Sequence, residues 1–449
     1  MSGKARYPKI VVTPPGPKAR ELIRADESYI SKSMVRCYPL AADSGSGCIL
    51  RDVDGNEYID FNSGLAVLNV GHCHPRVVSA ITEQTKKLIH YSYTDFYYQA
   101  IVDLSLELTK ITPGTFSKRV FLSNSGAEAV EAAMKMAKWH TRNSLFLAYT
   151  GAFHGRTQGA VSLTASKPVQ RRHFFPLVPG VTHVPYPYCY RCPFRLSYPE
   201  CHLWCADFID EEVLSKYVPP ENLAAMFVEA IQGEGGFVVP PDDYFPRLRK
   251  ILDKYDVIMI DDEIQSGMGR TGKWFAIDHF NVVPDAVCVA KAMGSGIPIG
   301  ALVSKDELMD WEGGSHATTF GGNPVACAAG LAVINVIREE RLLENATKQG
   351  AHLLNRLKEM QGKYEILGDV RGRGLMIGAE IVKDPDTRQA GPELAQEIMT
   401  KCFKRGLAIV TAGKSTIRFA PPLVIDRDLL DAGLDVFEGV FREVAASVR

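Results

Sequence analysis

The chain has 449 residues, too many for one simple core and enough for two or three lobes, and its 46% hydrophobic and 23% charged content excludes both disorder and collagen-like repetition. Its 51 Lys and Arg balance 52 Asp and Glu, which gives no electrostatic reason to expect nucleic acid or an anionic membrane as partner, so anionic ligands must be held locally. No stretch nears the roughly 20 apolar residues of a spanning helix, and Lys4, Arg6 and Lys9 stand among prolines in place of an apolar signal region, so a cytoplasmic location is expected.

Past Pro14, Pro15 and Pro17, residues 45–61 alternate apolar and polar positions around Asp54-Gly55-Asn56, which predicts a hairpin. From 75 to 330, strand and helix alternate. Short apolar runs at 120–122, 145–149, 225–228, 257–260, 286–290 and 301–303 predict strands, and 129–140, with Val130, Met134 and Ala137 on one face, predicts a helix. Continuously apolar runs of this length suit strands buried on both faces of a parallel sheet. An alanine-rich helix is expected from Pro324 to about 337; thereafter 370–378 reads as a turn into a strand, 417–419 as a strand and the last 25 residues as a helix. The expected architecture is α/β: a large domain over 75–330 with a mostly parallel sheet, and a smaller α+β domain drawn from both chain ends, 1–74 and 331–449.

Chemistry in such sheets gathers where the strands stop. After the strand at 120–122, Ser123-Asn124-Ser125-Gly126-Ala127-Glu128 opens a helix with a glycine between small residues, so an anion can approach its first backbone amides and meet the positive end of the dipole. Ser123 and Ser125 also fit as simple caps. After 145–149, Phe153 offers a face for a heteroaromatic ring and Arg156 a two-pronged clamp for a carboxylate, although either can instead serve packing. The run 258–267 carries Asp262 at a strand end, and Lys291 ends the apolar stretch 286–290. A carboxylate so placed can keep the ring nitrogen of pyridoxal phosphate protonated, and a lysine amine can form the Schiff base with its aldehyde. The plainer alternative is an aspartate that caps the next helix and a lysine that reaches solvent.

Ten cysteines are present, six of them scattered, mostly beside apolar residues, as buried thiols would be. The other four, Cys189, Cys192, Cys201 and Cys205, lie in an aromatic and proline-rich stretch with CxxC and CxxxC spacing. That spacing is open to a structural metal such as zinc, to disulfides, and to free thiols. A non-catalytic metal or redox scaffold built on these four leaves the remaining motifs without a purpose.

Five segments in order, SNSGAEA (123–129), FHGRT (153–157), DEIQSGMGRTG (262–272), AKAMGSGIPIGA (290–301) and TTFGGNP (318–324), make the chain resemble class III pyridoxal phosphate aminotransferases over nearly its whole length, most of all the 4-aminobutyrate and ω-aminotransferase branch. The resemblance implies a fold type I transferase and a homodimer with shared active sites, open to higher assembly. It makes Lys291 the Schiff-base lysine, Asp262 the partner of the pyridine nitrogen and Gln265 a neighbour of the phenolic oxygen. Phe153 would cover the ring with His154 beside it, Ser125, Gly126 and Ala127 would hold the phosphate, and Thr319, with Thr318 beside it, would reach the phosphate of the partner subunit.

For substrates, the resemblance implies that Arg156 takes a distal carboxylate and Arg418, in TIRFAPP (416–422), the carboxylate near the reacting carbon. Glu234, in the segment Glu229-Ala230-Ile231-Gln232-Gly233-Glu234, would neutralise that arginine when an ω-amine enters, with Glu229 also part of the substrate site. Arg418 also reads as an ordinary strand arginine. Ornithine-specific relatives carry a tyrosine where this chain has Leu65, and an apolar side chain there suits 4-aminobutyrate better. The expected activity is transfer of an amino group from a 4-aminobutyrate-like donor to a 2-oxoacid, 2-oxoglutarate first. Amino-acid racemisation and ornithine or lysine transamination are the alternatives, because the motif set does not separate them.

Overall fold

The computed structural model describes residues 7–448, and the chain divides into two compact units, one made by residues up to His74 and from Glu344 onward, the other by Pro75–Leu343. In the larger unit seven strands lie in the order Lys118–Ser123, Gly300–Lys305, Ala286–Val289, Ile258–Asp262, Leu223–Val228, Leu145–Tyr149, Val181–Val184. The last five are parallel, while Gly300–Lys305 runs antiparallel to both of its neighbours. Every residue of Leu223–Val228, Ile258–Asp262 and Ala286–Val289 is buried, as the unbroken apolar runs require of a sheet covered on both faces.

One cover is the helix Gly126–Thr141. Ala129, Val130, Ala133, Met134 and Ala137 face inward from it into a core shared with Phe146, Phe227, Ile260 and Cys288. Each large apolar side chain sealed there contributes about 1.5–3 kcal/mol, and the alanines let the helix axis come close to the sheet. The edge strand Val181–Val184 escaped the sequence reading. Its residues Thr182 and His183 interrupt the valines, and only Val184 is buried. An edge strand needs just one covered face, so its pattern is weak.

In the smaller unit the expected hairpin forms from Ile49–Asp52 and Glu57–Asp60, with Ala42–Ser46 added on one side and Leu407–Ala408 parallel on the other. Its tip is tied by the Asp52 carboxylate, which accepts from the amides of Asp54 (3.0 Å) and Asn56 (2.8 Å) and from the Tyr58 hydroxyl (2.9 Å). Gly55 supplies the left-handed turn at φ +90°. A second antiparallel sheet joins Leu367–Arg373, Met376–Asp384, Thr416–Phe419 and Val410–Ala412. The final helix, Arg427–Ser447, starts at Asp426, whose side chain accepts from the Leu429 amide at 2.8 Å. The chain passes between units at 343/344, after the helix Pro324–Glu339, which a break after residue 330 would cut. Among the described residues no helix is long and apolar enough to cross a membrane.

Candidate active site

The carboxyl ends of the parallel strands bring most of the large unit's candidates together. Asp262 ends its strand opposite Cys288, so Lys291, three residues further along the adjacent strand's path, emerges at the same edge. Lys291 itself is held at φ +41°, a left-handed conformation that a side-chain-bearing residue adopts only where its surroundings impose it. Asp262 is buried, and its carboxylate is fixed from two sides: one oxygen contacts His154 Nδ1 at 2.7 Å and the other accepts from the Ile264 amide at 3.1 Å.

His154 comes from the loop after Leu145–Tyr149, and its own amide donates to the Thr164 hydroxyl at 2.9 Å. Burial pulls the imidazole's proton affinity down, but the hydrogen bond and charge of Asp262, with the charge of Glu229, outweigh it and leave the pKa raised. Glu229 stands one residue past Leu223–Val228. Its carboxylate accepts from the Phe153 amide at 3.3 Å and the Gly233 amide at 3.2 Å. Burial pushes it up to about 7, the cation of His154 pulls it back, and Asp262 pushes it further up.

Next to these lies an unusual pair. Asp261 is fully buried, and burial, then the charge of Glu263 and a hydrogen bond with it, raises its pKa far above the carboxylate range. Glu263 is raised to about 7 by burial against the opposing pull of the Ser266 hydroxyl and the amides of Ala276 and Ile277. No sequence signal marked this pair beyond three consecutive acidic residues.

The helix start expected to seek anions is built tightly. Ser125 caps it, accepting from the Glu128 amide at 3.2 Å, while the Glu128 carboxylate accepts from the Asn124 amide at 2.8 Å. The Ser125 hydroxyl is therefore occupied as a cap, and the first-turn amides after it are the ones that lack intrahelical partners. A methyl on Gly126 would lie 2.7 Å from Ile264 Cδ1, and one on Gly155 (φ +135°) 2.8 Å from Ala127 Cβ. The Phe153 loop and the segment after Asp262 thus close directly on the helix start. Arg156 is exposed, with its guanidinium carbon 5.6 Å from the Phe153 ring centre. Thr318 receives the Asn124 side-chain amide at 3.3 Å, and Thr319 is exposed.

Glu234 is bound by Lys167, Nζ to Oε1 at 2.6 Å, a partner that sequence spacing did not suggest. In the other unit, Arg418 lies buried in the strand Thr416–Phe419, paired in register with Gly378 and Val410, so it is no solvated strand arginine. Leu65, also in that unit, has left-handed backbone (φ +71°) and is 47% exposed, an apolar side chain presented outward by a strained turn.

At the sheet edge, His154 Nε2 and Gln265 Oε1 are buried with no hydrogen-bond partner among the described residues. Each such atom costs roughly 1–3 kcal/mol if left so. Together with an anion-seeking helix start, a lysine and a buried carboxylate on adjacent strands, they fit a ligand that is at once heteroaromatic, polar at its rim and phosphorylated.

The four clustered cysteines behave otherwise. They line one small pocket of about 20 Å³ with Phe194 and Trp204, yet all are free thiols. Cys189 is exposed as a residue, yet burial of its thiol, then the neighbouring cysteines, pushes it up to about 11 and Cys205 to about 12. Among the described residues no group of three or more His, Cys, Asp or Glu is arranged to hold a metal ion.

A large parallel sheet with a lysine and a histidine-braced aspartate at its carboxyl edge defines an enzyme built around pyridoxal phosphate. The chain matches the family model of class-III aminotransferases over residues 30–441. It is 39% identical to the alanine/serine racemase of Pyrococcus horikoshii over 97% of this chain and 93% of that protein, and 36% identical to a probable 4-aminobutyrate aminotransferase of Bacillus subtilis over 93% and 96%. The ornithine aminotransferase structure from Toxoplasma gondii superposes with a TM-score of 0.84 at 30% identity, covering 96% of each chain. The chain therefore belongs to the class-III aminotransferases, a family of pyridoxal phosphate-dependent enzymes.

Proposed function

We propose that the protein transfers the amino group of an ω-amino acid of the 4-aminobutyrate kind, or of a related amino acid, to 2-oxoglutarate. The observation that carries the reading is the meeting of Lys291 and the His154–Asp262 pair at one sheet edge, in a chain whose relatives include a 4-aminobutyrate aminotransferase. When bound, pyridoxal phosphate supplies an aldehyde that condenses with amines and a protonated ring that takes up the electron pair of a broken Cα–H bond.

The Lys291 amine would hold the cofactor through its aldehyde and, when free, would be the group placed to move a proton at the substrate carbon. Asp262, oriented by His154 Nδ1, would face the ring nitrogen and favour its protonated form. Gln265 would address the phenolic oxygen, Phe153 would cover the ring, and the amides of Gly126 and Ala127 would receive the phosphate. Arg156 takes the distal carboxylate and Arg418 the α-carboxylate. Lys167 holds Glu234, so its negative charge is already shared before a substrate arrives. Leu65 contributes apolar surface suited to a short unbranched donor. Thr318 and Thr319 complete the phosphate site of a second subunit, which makes the homodimer the active form. The exposed aromatic residues around them, Tyr91, Phe96, Tyr97 and Phe320, favour such an interface over solvent.

Racemisation is the second reading, favoured by the 39% identity to an alanine/serine racemase. One plate tests both: 4-aminobutyrate, ornithine, lysine and single-enantiomer alanine, serine and leucine, each with and without 2-oxoglutarate. Glutamate formed only with the oxoacid supports transamination. Loss of optical rotation without any oxoacid supports racemisation and sinks the first reading.

A further inference from the structure

Glu229 has a place in the structure that a substrate contact does not explain. Val228, just before it, pairs with Asp261 on the neighbouring strand, so the glutamate departs the sheet beside Asp262. The side chain is buried, and each carboxylate oxygen is taken by a backbone amide from a different loop. One amide is that of Phe153, in the loop that also carries His154. The other is that of Gly233, where an added methyl would lie 2.3 Å from Gln265 Oε1, so the Gln265 side chain rests on the Gly233 backbone.

The two loops are knitted further by Gln232, whose side-chain amide donates to the Thr150 carbonyl at 2.9 Å, and by the Tyr186 hydroxyl, which donates to the Glu229 carbonyl at 3.0 Å. Charges alternate through the site: Asp262 from its strand end, His154 from the loop, Glu229 behind it. Among the described residues the other titratable groups facing this trio include Asp261, Tyr186 and Cys288, whose pKa values burial raises, and His183, whose pKa burial lowers.

We propose that Glu229 is a positioning residue for the cofactor: its carboxylate clamps the Phe153 loop, which also carries His154, to the Gly233 turn that seats Gln265. The inference rests on the pyridoxal phosphate placement given above. It assigns Glu229 to the hydrogen bonding that joins the two loops rather than to a substrate contact.

The test compares purified holoenzyme with Glu229→Gln, which keeps the shape but loses the charge and one of the two accepted hydrogen bonds. Absorbance of the bound cofactor is recorded from pH 6 to 9, alongside cofactor retention on dialysis, kcat and KM. The expected variant folds, loses cofactor severalfold faster, and moves the pH midpoint of the bound-cofactor band downward by roughly half to one unit, because a removed negative charge disfavours nearby protonated forms. Its kcat falls while KM for the donor holds. A raised KM with band, midpoint and retention unchanged overturns the role and returns Glu229 to the substrate. Should Glu229→Gln not fold, Glu229→Asp takes its place: charge kept and reach shortened, it retains the midpoint but loses cofactor faster, and a variant that does neither overturns the proposal. Wild-type protein that binds no pyridoxal phosphate would overturn the placement as well, an outcome readable separately from any effect of the variants.

Discussion

Asp262 and His154 lie 108 positions apart and Glu229 and Phe153 76 apart, yet they meet at one sheet edge within hydrogen-bond distance; Cys189, Cys192, Cys201 and Cys205 lie within one short segment and yield only a small pocket lined by free thiols. The long-range site forms because Asp262 ends a buried parallel strand, Glu229 directly follows another, and the loop carrying Phe153 and His154 leaves a third, so the sheet dictates where they meet. The cysteine stretch has only short helical turns of its own, such as Cys189–Arg191 and Trp204–Phe208, so its local spacing is not converted into a fixed donor geometry. Strand topology thus brings together residues that no local spacing in the sequence would join.

The contrast breaks most sharply at Lys291. Lys291→Ala should abolish turnover, by more than roughly 10³-fold, and remove the bound-cofactor band from the absorbance spectrum. Residual activity near wild type would mean that the sheet edge is not the reacting centre. Asp262→Asn comes next. It should lower kcat by about 10²-fold or more while cofactor retention changes far less, because the amide keeps the shape and loses the charge. Equal losses in binding and turnover would reduce Asp262 to an anchor. Arg156→Lys should raise KM for 2-oxoglutarate about tenfold with kcat little changed, since a point charge replaces a two-pronged clamp; an unaltered KM would place the distal carboxylate elsewhere.

A subtler effect comes from the buried carboxyls. Glu229 and Glu263 bind a proton up to about pH 7 in the folded chain, whereas their ordinary value is 4.5, and His154 is also raised. A raised folded pKa gives stability that is complete below the unfolded value and lost as pH rises through the folded one. Melting temperature should therefore decline by a few degrees between about pH 5 and 8, and Glu263→Gln should flatten the slope. A profile that rises over that window would contradict the assigned shifts. Least affected should be the cysteine stretch: incubation with a chelator should leave melting temperature and activity unchanged, and thiol titration of denatured protein without reductant should count all ten cysteines. Bound zinc in the purified protein would erase the contrast between the two regions.

Much of this was legible in the chain. The strand Leu145–Tyr149 appears where its apolar run stands, the Pro324–Glu339 helix begins at its proline, and the placement of Asp262 and Lys291 at strand ends follows from where the apolar residues stop. Side-chain period and run length report burial directly, and burial is what the sheet requires. The sequence also carried the family motifs, and with them the cofactor.

Tertiary structure alone decided the rest. That His154 braces Asp262, that Glu229 reaches two backbone amides, that Lys167 takes Glu234, and that Asp261 is sealed in beside Glu263 all depend on the distances between separate loops. A one-dimensional pattern records how each segment meets water; it holds no record of which distant segments meet each other, because that is settled by strand order and by the packing that closes the loops over the sheet.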